Sequence, residues 1–210
     1  MAPTQSPEAL LRQYWGYSQF RPLQREIIVS AAEGTDTLAV LPTGAGKSLC
    51  FQVAGLLRGG LTLVITPLIA LMHDQVAGLV GRGLAATYLN SSLEPPEIEA
   101  RLRGLAQGRF QFLYLSPEWL HQPKFRLQAP GWRVALLVID EAHCISQWGF
   151  DFRPSYLRIR SVREVIPKVP TLAVTATATP GVQLDITEQL GLQSPARFVH
   201  SFARPNLRYL

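Results

Sequence analysis

A run of apolar residues that changes abruptly to acid is the feature that most constrains this chain. Residues 134–139 read VALLVI, and Asp140 and Glu141 follow directly. A continuous Val-, Leu- and Ile-rich run of this length is typical of a strand that is buried on both faces, as in a parallel sheet. Two adjacent carboxylates at the end of such a strand are costly unless they hold a metal ion or polarise water. The rest of the chain should therefore supply a phosphate site for this pair.

The same alternation of apolar segments and helix-length stretches recurs along the chain. Six apolar segments have the composition of strands: 37–41, 61–65, 85–89, 110–115, 134–139 and 172–174. Stretches between most of them are long enough for helices: 47–57, 68–80, 94–106 and 180–190. This alternation implies right-handed crossovers, so we predict an α/β fold with a mostly parallel sheet and helices on both faces. The polar residues that end the strands should share one edge of that sheet, where ligands bind in such folds.

Two helices are predicted ahead of the first strand. The first covers residues 6–15, and the second opens at Pro22 and ends near Ala32, with Gly34 as its stop. Further along, Thr66-Pro67 and Ser116-Pro117 have the pattern of a helix cap followed by a first-turn proline. Both pairs should leave free backbone N–H groups at the ligand-binding edge.

A glycine-rich segment, LPTGAGKS at residues 41–48, follows the first predicted strand and precedes a helical pattern. Its glycines let successive backbone N–H groups surround a phosphate, while the lysine can reach terminal phosphates and the serine can ligate magnesium. The strict P-loop pattern has a glycine where this chain has Leu41. A simple glycine turn is the alternative, and the carboxylate pair on a second strand disfavours it. The predicted phosphate-binding residues are Thr43, Gly44, Ala45, Gly46, Lys47 and Ser48.

The acidic segment DEAH provides candidate catalytic groups to act with Lys47. Phosphoryl transfer to water depends mostly on positioning and charge neutralisation. Asp140 would hold Mg²⁺ together with Ser48, and Glu141 would orient or deprotonate the attacking water. His143 could relay between the nucleotide and a neighbouring site, although a lone histidine is often structural.

Charge and cysteine usage narrow the class of protein. Lysine and arginine exceed aspartate and glutamate by five, 20 against 15, and the pI is about 9.6. This balance suits a polyanionic partner, although it could also serve solubility alone. No apolar run approaches the roughly 20 residues that span a bilayer, and the N-terminus lacks the pattern of a signal peptide. Cys50 and Cys144 stand in unrelated contexts without metal-ligand spacing, which suits a reducing compartment.

Several segments carry a resemblance to a known family. DEAH together with LPTGAGKS is similar to superfamily-2 helicases, and CISQWGFDFRPSY at residues 144–156 resembles the aromatic-rich loop of RecQ-family DNA helicases. Other matching segments follow the family order over nearly the whole chain: 15–24, 64–76, 114–118, 172–179 and 201–209. The resemblance implies the first RecA-like domain of such an enzyme, a P-loop NTPase fold that uses ATP and Mg²⁺.

The resemblance also implies a division of the chain. Residues 1–34 would be an N-terminal helical segment with an adenine-recognition motif, and residues 35–200 the RecA-like ATP-binding domain. Residues 201–210 would begin a linker to a second RecA-like domain that this chain lacks. That second domain would supply an arginine finger to the ATP site, so we expect weak activity from this chain alone.

Individual roles follow from the same resemblance. Tyr17 and Arg21 would hold the adenine and Gln24 would read its edge, although the residues alone indicate only a lead-in to a helix. The residues expected to contact DNA are Thr66, Pro67, Asn90, Ser91, Ser116, Gln147, Trp148, Phe152 and Arg153. Thr175 and Thr177 would link the ATP state to domain movement, with strand-end capping as the alternative.

Three residues depart from the family pattern. Ala45 replaces a commoner glycine, which the loop tolerates if φ there is negative. Trp119 stands where a basic residue is usual, which would remove a DNA contact or substitute stacking for charge. Phe150 replaces a more polar residue, commonly histidine, in the aromatic-rich segment.

The implied activity is ATP-driven 3′→5′ movement along single-stranded DNA and separation of duplex DNA. Such an enzyme would be cytoplasmic, associated with the nucleoid in a bacterium, or nuclear in a eukaryote, with no membrane partner. One alternative is a module that binds ATP and nucleic acid without turnover. Others are an RNA-acting helicase of the same superfamily and a small-molecule kinase, which shares the P-loop but does not explain residues 144–156.

Overall fold

The computed structural model describes residues 5–149, 151–166 and 168–200. Within these ranges, seven strands form one sheet in the order β3-β4-β2-β5-β6-β1-β7. Every neighbouring pair is parallel, as predicted. The strands are β1 (Thr37–Val40), β2 (Leu61–Ile65), β3 (Ala86–Leu89), β4 (Phe112–Leu115), β5 (Val134–Ile139), β6 (Thr171–Thr175) and β7 (Ala196–Val199).

Helices connect the strands on both sides of the sheet. The α-helices of the described ranges are α1 (Pro7–Trp15), α2 (Gln24–Ala32), α3 (Lys47–Arg58), α4 (Ile69–Val80), α5 (Pro95–Ala106), α6 (Pro123–Gln128), α7 (Val162–Val165) and α8 (Pro180–Leu190). Short 3₁₀ helices lie at Pro117–His121, Ala129–Gly131, Ala142–Ile145 and Pro154–Ser161. Because every neighbouring pair of strands is parallel, the carboxyl ends of all the strands lie at one edge.

The core consists of two apolar layers, one on each face of the sheet. One layer contains buried residues of α1, α2, α3 and α4, such as Leu10, Ile27 and Phe51. The other contains α5, α8 and the short helices, and includes Phe125 and Tyr156. Because an apolar layer covers each face of the sheet, strands β1, β2 and β4 are buried along their whole length. Their continuous apolar sequences predicted this burial.

Strand β7 was not predicted from the sequence. It pairs with β1 at the edge of the sheet, and its residues alternate between half-buried and exposed. The strand has only four residues, among them Arg197 and an exposed Val199. So short a segment has no apolar periodicity that would predict a strand. Its register is set instead by pairing with β1, and β7 adds one strand to the edge of the sheet.

Two predicted helix starts were wrong. Helix α2 begins at Gln24 and not at Pro22, after Leu23 adopts a left-handed backbone with φ of 66°. Helix α4 begins at Ile69, with Leu68 as its N-cap, so Thr66 and Pro67 lie before the helix. The Thr66 N–H donates to Leu115 O at 3.1 Å, because Thr66 continues the sheet past the end of β2.

At Ser116-Pro117 the predicted first-turn proline is confirmed, although the Ser116 side chain makes no capping hydrogen bond. Ser116 precedes the 3₁₀ helix Pro117–His121, and Pro117 is its first residue. Proline suits this position because the N–H that it lacks has no partner within the helix. None of the helices in the described ranges combines the length and apolar character needed to cross a membrane.

Candidate functional site

The site begins at the carboxyl end of β5. Asp140 follows the strand directly and is only 4% exposed, and its N–H donates to Ile65 O at 2.9 Å. Its carboxylate accepts from the Thr66 hydroxyl at 3.3 Å and from the Glu141 N–H at 3.0 Å. The Tyr156 hydroxyl donates to the Asp140 carbonyl at 2.9 Å. The backbone is therefore firmly held, while the carboxylate has only two protein donors.

Burial raises the pKa of Asp140 from 3.8 to about 6. This pKa already includes the neighbouring charge of Glu141, which also raises it, and the Glu141 N–H, the Lys47 ammonium and the Thr66 hydroxyl, which lower it. Lys47 therefore lies close enough to influence this carboxylate, although the two are far apart in sequence. A buried carboxylate with a raised pKa and few donors is suited to gain a cation.

Glu141 adopts an uncommon backbone conformation. Its φ of 48° and ψ of 46° are left-handed, a region that a residue with a side chain visits at a cost. This turn redirects the chain from β5 into the 3₁₀ helix Ala142–Ile145 and leaves Glu141 half-buried beside Asp140. The strained turn thus places two consecutive carboxylates at the ligand-binding edge.

A chain of polar contacts leads from Glu141 to β6. His143 Nδ1 lies 3.4 Å from Glu141 Oε2 and 2.8 Å from the Thr175 hydroxyl. The Thr175 hydroxyl in turn donates to the Thr177 carbonyl at 3.3 Å. A Thr175 hydroxyl that donates to this carbonyl can accept from His143 Nδ1, which suits a ring that carries a proton on Nδ1. The predicted catalytic and coupling residues are therefore in contact.

The P-loop forms between β1 and α3. Gly44 and Gly46 have φ of 81° and 84°, which only glycine adopts without strain. Ala45 lies between them outside the positive-φ region, so the condition for tolerating this alanine is met. A Cβ on Gly46 would also collide with Gln24 Nε2. Helix α3 begins at Lys47, and its first-turn N–H groups point toward this loop, as an anion site requires.

Lys47 and Ser48 lie at the start of α3. Lys47 is half-buried, and its Nζ donates to Leu41 O at 3.3 Å. Ser48 is half-buried and lines a pocket of about 460 Å³ that also contains Gly44 and Gly46. Thr43 is exposed at the rim of the loop. A Ser48 hydroxyl and the Asp140 carboxylate are hard oxygen donors of the kind that Mg²⁺ prefers, so the residues present fit this ion.

The predicted adenine-binding residues lie in the same pocket. Tyr17 is 59% exposed, and Arg21 donates to Gly44 O. Gln24 is buried, its Nε2 donates to Ala45 O at 2.8 Å and its Oε1 accepts from the Arg21 N–H at 2.9 Å. Gln24 therefore connects α2 to the P-loop. Both ends of the Gln24 amide already bind the protein. Its contact with an adenine edge stays a prediction.

The residues predicted to grip a nucleic-acid backbone fall into two groups. Thr66, Asn90 and Ser116 are buried, and the first two use their side chains inside the protein. Thr66 donates to Asp140, and Asn90 Oδ1 accepts from the Ser92 N–H at 2.9 Å. Pro67 is half-buried and Ser91 is exposed at the same edge. A direct phosphate contact stays a prediction for each of the five residues.

The aromatic segment lies beside the acidic residues. Gln147 is exposed and Trp148 is 84% exposed, which is unusual for so large an apolar ring. Phe152 is half-buried, and Arg153 binds Asp151 through Nε at 3.1 Å and Nη2 at 2.9 Å. Phe150 lies outside the described residues.

The prediction that Trp119 could stack on a base is wrong. Trp119 is only 7% exposed and belongs to the core layer around Phe125, so its ring cannot stack on a base. The sequence analysis also missed Tyr156 and Thr66 as partners of Asp140. The residues Thr66 and Asp140 are 74 positions apart, and no local pattern links them. Only the rule that parallel strands end at one edge could have indicated that pair.

Comparisons with known proteins agree with this geometry. The family described as DEAD/DEAH box helicase matches residues 21–185. The chain is 44% identical over 95% of its length to the ATP-dependent DNA helicase RecQ of Pasteurella multocida, of which it covers 32%. It is 45% identical over 96% of its length to RecQ of Bacillus subtilis, of which it covers 34%. The chain thus spans about a third of the length of these curated relatives.

A solved structure supports the fold. The Hef helicase domain of Pyrococcus furiosus aligns with a TM-score of 0.66 at 22% identity, over 90% of this chain and 39% of that one. The chain belongs to the DEAD/DEAH box helicase family. Within that family its sequence matches the RecQ helicases, which confirms the resemblance and the predicted RecA-like α/β fold.

Proposed function

We propose that this chain is the ATP-binding motor domain of a DNA helicase that moves 3′→5′ along single-stranded DNA and separates duplex DNA. The observation that carries the proposal is the meeting of Lys47 and the buried Asp140 at one edge of the sheet. A phosphate-binding loop and an acidic pair on a second strand are the parts that nucleotide hydrolysis needs. The name of the RecQ relatives, ATP-dependent DNA helicase, supplies the substrate class.

In this proposal the P-loop N–H groups and Lys47 bind the β- and γ-phosphates. Ser48 and Asp140 would hold Mg²⁺, and a bound ion would neutralise charge that develops on the phosphates. Glu141 orients the attacking water, and its left-handed turn points the carboxylate toward the edge of the sheet. Tyr17 and Arg21 hold the adenine at the exposed side of the pocket.

His143 and the threonines carry the signal between the two sites. His143 contacts both Glu141 and Thr175, so a shift of the segment after β5 moves a group next to the water-orienting carboxylate. Trp148 and Phe152 stack on bases, and each stacked base contributes about 1–3 kcal/mol. Arg153 supplies a cation next to these rings.

The complete enzyme needs a second RecA-like domain, following residues 201–210, to supply an arginine finger. This part of the proposal rests on the partial coverage of the relatives. Its partners are single-stranded and duplex DNA, and it acts where DNA is: in the cytoplasm of a bacterium, at the nucleoid, or in the nucleus of a eukaryote.

Nucleotide binding and turnover by this chain test the proposal. We expect Mg²⁺-dependent ATP binding that Lys47→Ala weakens by about 10- to 100-fold, because the variant loses a charged phosphate contact. We expect turnover to be slow with or without single-stranded DNA. Robust DNA-stimulated hydrolysis by this chain would show that no second domain is needed, and absence of ATP binding would refute the nucleotide site.

Two further measurements separate the alternatives. Glu141→Gln should leave ATP binding intact and reduce hydrolysis, whereas a module without turnover would show no hydrolysis to lose. Competition between DNA and RNA strands of the same sequence, measured in the presence of ATP and Mg²⁺, distinguishes a DNA-acting helicase from an RNA-acting one. Preferential displacement by RNA would contradict the proposed substrate.

A further inference from the structure

A second group of potential metal ligands lies next to the acidic pair. His143, Cys144 and Asp151 each offer one ligand atom, and these atoms lie within 4.8 Å of one another. His143 Nε2 is 3.8 Å from Cys144 Sγ, and Cys144 Sγ is 3.7 Å from Asp151 Oδ2. No short motif predicts this group, since Asp151 follows Cys144 by seven residues.

Two of the three separations are close to those around a tetrahedral metal ion, and the third, between His143 and Asp151, lies within 4.8 Å. With the usual zinc bond lengths, a tetrahedral ion holds a sulfur and a nitrogen ligand about 3.5 Å apart, and a sulfur and an oxygen ligand about 3.6 Å apart. The two observed separations exceed these values by only a few tenths of an ångström. A rotation of the exposed Asp151 side chain toward His143 would complete three protein ligands and leave a fourth position for water.

The surroundings of His143 prepare it to act as a ligand. Its Nδ1 lies near the Thr175 hydroxyl and Glu141 Oε2, while its Nε2 lies near Cys144 Sγ, so a ring protonated on Nδ1 would offer Nε2 to a metal ion. Metal-binding histidines usually donate their other ring N–H to an oxygen acceptor, which fixes the tautomer and the ring orientation. The contacts that hold His143 near the acidic pair therefore also direct Nε2 toward the thiol.

We propose that His143, Cys144 and Asp151 form a site for a borderline divalent cation such as Zn²⁺, separate from the oxygen-only Mg²⁺ site at Asp140. A thiolate, an imidazole and a carboxylate favour Zn²⁺ or Co²⁺ over Mg²⁺. Coordination releases the thiol proton to solvent. The ion enters from the side of Asp151, whose side chain is 51% exposed while Cys144 is buried.

Occupation of the site would compete with an existing contact. Asp151 Oδ2 accepts from both Nε and Nη2 of Arg153. A cation that takes this oxygen weakens the Arg153 pair and joins the aromatic segment to the 3₁₀ helix that carries His143. Metal binding thus ties Asp151 to the 3₁₀ helix Ala142–Ile145 without involving the P-loop.

Titration of this chain with Co²⁺ tests the site, with excess Mg²⁺ present to occupy the oxygen ligands. We expect one equivalent of Co²⁺ to produce a thiolate-to-cobalt charge-transfer band that Zn²⁺ then removes. Cys144→Ser should abolish the band, and Asp151→Asn should weaken Co²⁺ binding by more than about 10-fold. Cys50→Ser is the matched control, because Cys50 is the chain's other cysteine and is also buried.

Three outcomes would overturn the proposal. These are no charge-transfer band at stoichiometric metal, a band that persists in Cys144→Ser, or equal affinities for Asp151→Asn and the unaltered chain. Asp151→Asn keeps the test valid if Cys144→Ser fails to fold, because Asp151 is exposed and outside both core layers. The readout is metal binding, so failure of the proposed helicase activity would not affect it.

Discussion

Two buried aspartates lie at opposite ends of the strands, and only one of them is paired with a cation. Asp36 precedes β1 and is 7% exposed, and Asp140 follows β5 and is 4% exposed. Asp36 Oδ2 accepts from both Nη atoms of Arg163 at 3.1 Å. It also accepts from the Gln193 N–H at 2.9 Å, and Oδ1 accepts from the Thr171 N–H at 2.8 Å.

Asp140 has no such cation in direct contact among the described residues. It has two hydrogen-bond donors and a second carboxylate, Glu141, as its neighbour. A buried charge is tolerated when the fold supplies its partner, and is costly when a ligand must do so. The comparison teaches that burial alone does not identify a functional acid. The absence of a cation in direct contact with the carboxylate does.

The largest effect is expected from removing the paired aspartate. Asp36→Ala leaves Arg163 and two backbone N–H groups without their acceptor, so we expect a loss of about 3–5 kcal/mol in the free energy of unfolding. The melting temperature should fall by about 10 °C. Thermal and urea denaturation measure both, with the exposed Asp74→Ala as a control that should change stability by less than about 0.5 kcal/mol. Equal losses of stability in the two variants would show that the contacts of Asp36 do not stabilise the fold.

The unpaired aspartate should behave in the opposite way. Because burial raises the pKa of Asp140 from 3.8 to about 6, its charged form opposes folding. The cost is absent below about pH 4, grows as the pH rises toward 6 and is complete above it, reaching about 3 kcal/mol. Asp140→Asn should therefore be more stable than the unaltered chain at pH 7, without Mg²⁺, by up to this amount.

Denaturation in urea between pH 4 and pH 8 measures that difference. The advantage of Asp140→Asn should shrink toward zero at pH 4, where both side chains are neutral. Addition of Mg²⁺ and ATP should also reduce it, since only the unaltered chain gains a full ligand set. A destabilised Asp140→Asn at pH 7 would mean that the fold already compensates the carboxylate, and the two aspartates would then be alike.

The smallest effect is expected at the backbone of Asp140. Tyr156→Phe removes the hydroxyl that donates to the Asp140 carbonyl, so we expect a loss of about 1 kcal/mol. Because the contact is with the carbonyl and not with the carboxylate, the loss should be the same at pH 4 and pH 7. Tyr88→Phe, at a half-buried tyrosine, is the control. A loss for Tyr156→Phe that varies with pH would show that the hydroxyl influences the carboxylate.

Much of the fold could be predicted because its signals are local. The apolar runs and the glycine-rich segment identified the central strands and helices α3, α4, α5 and α8 to within about two residues. Between residues 117 and 166 the sequence predicted strand β5 and the helix start at Pro117, but not the other short helices. Those helices have no periodic pattern, since their position is set by packing of residues such as Phe125 and Tyr156.

The candidate site divides in the same way. The P-loop and the acidic pair could be predicted from short motifs, and the parallel sheet implied that they meet. The contact of Thr66 with Asp140, and the pairing of Asp36 with Arg163 across 127 positions, could not be predicted. Such contacts depend on strand order, which no local pattern encodes.

The order of the central strands has a mechanical consequence. Strand β6 lies between β1, which leads to Lys47, and β5, which leads to Asp140. Two ladders of backbone hydrogen bonds therefore set a lateral spacing of about 10 Å between those strand ends. Side-chain substitutions in the core leave that spacing unchanged, because no side chain defines it. The width available to a triphosphate is thus a property of the main chain, and only a change in strand pairing can alter it.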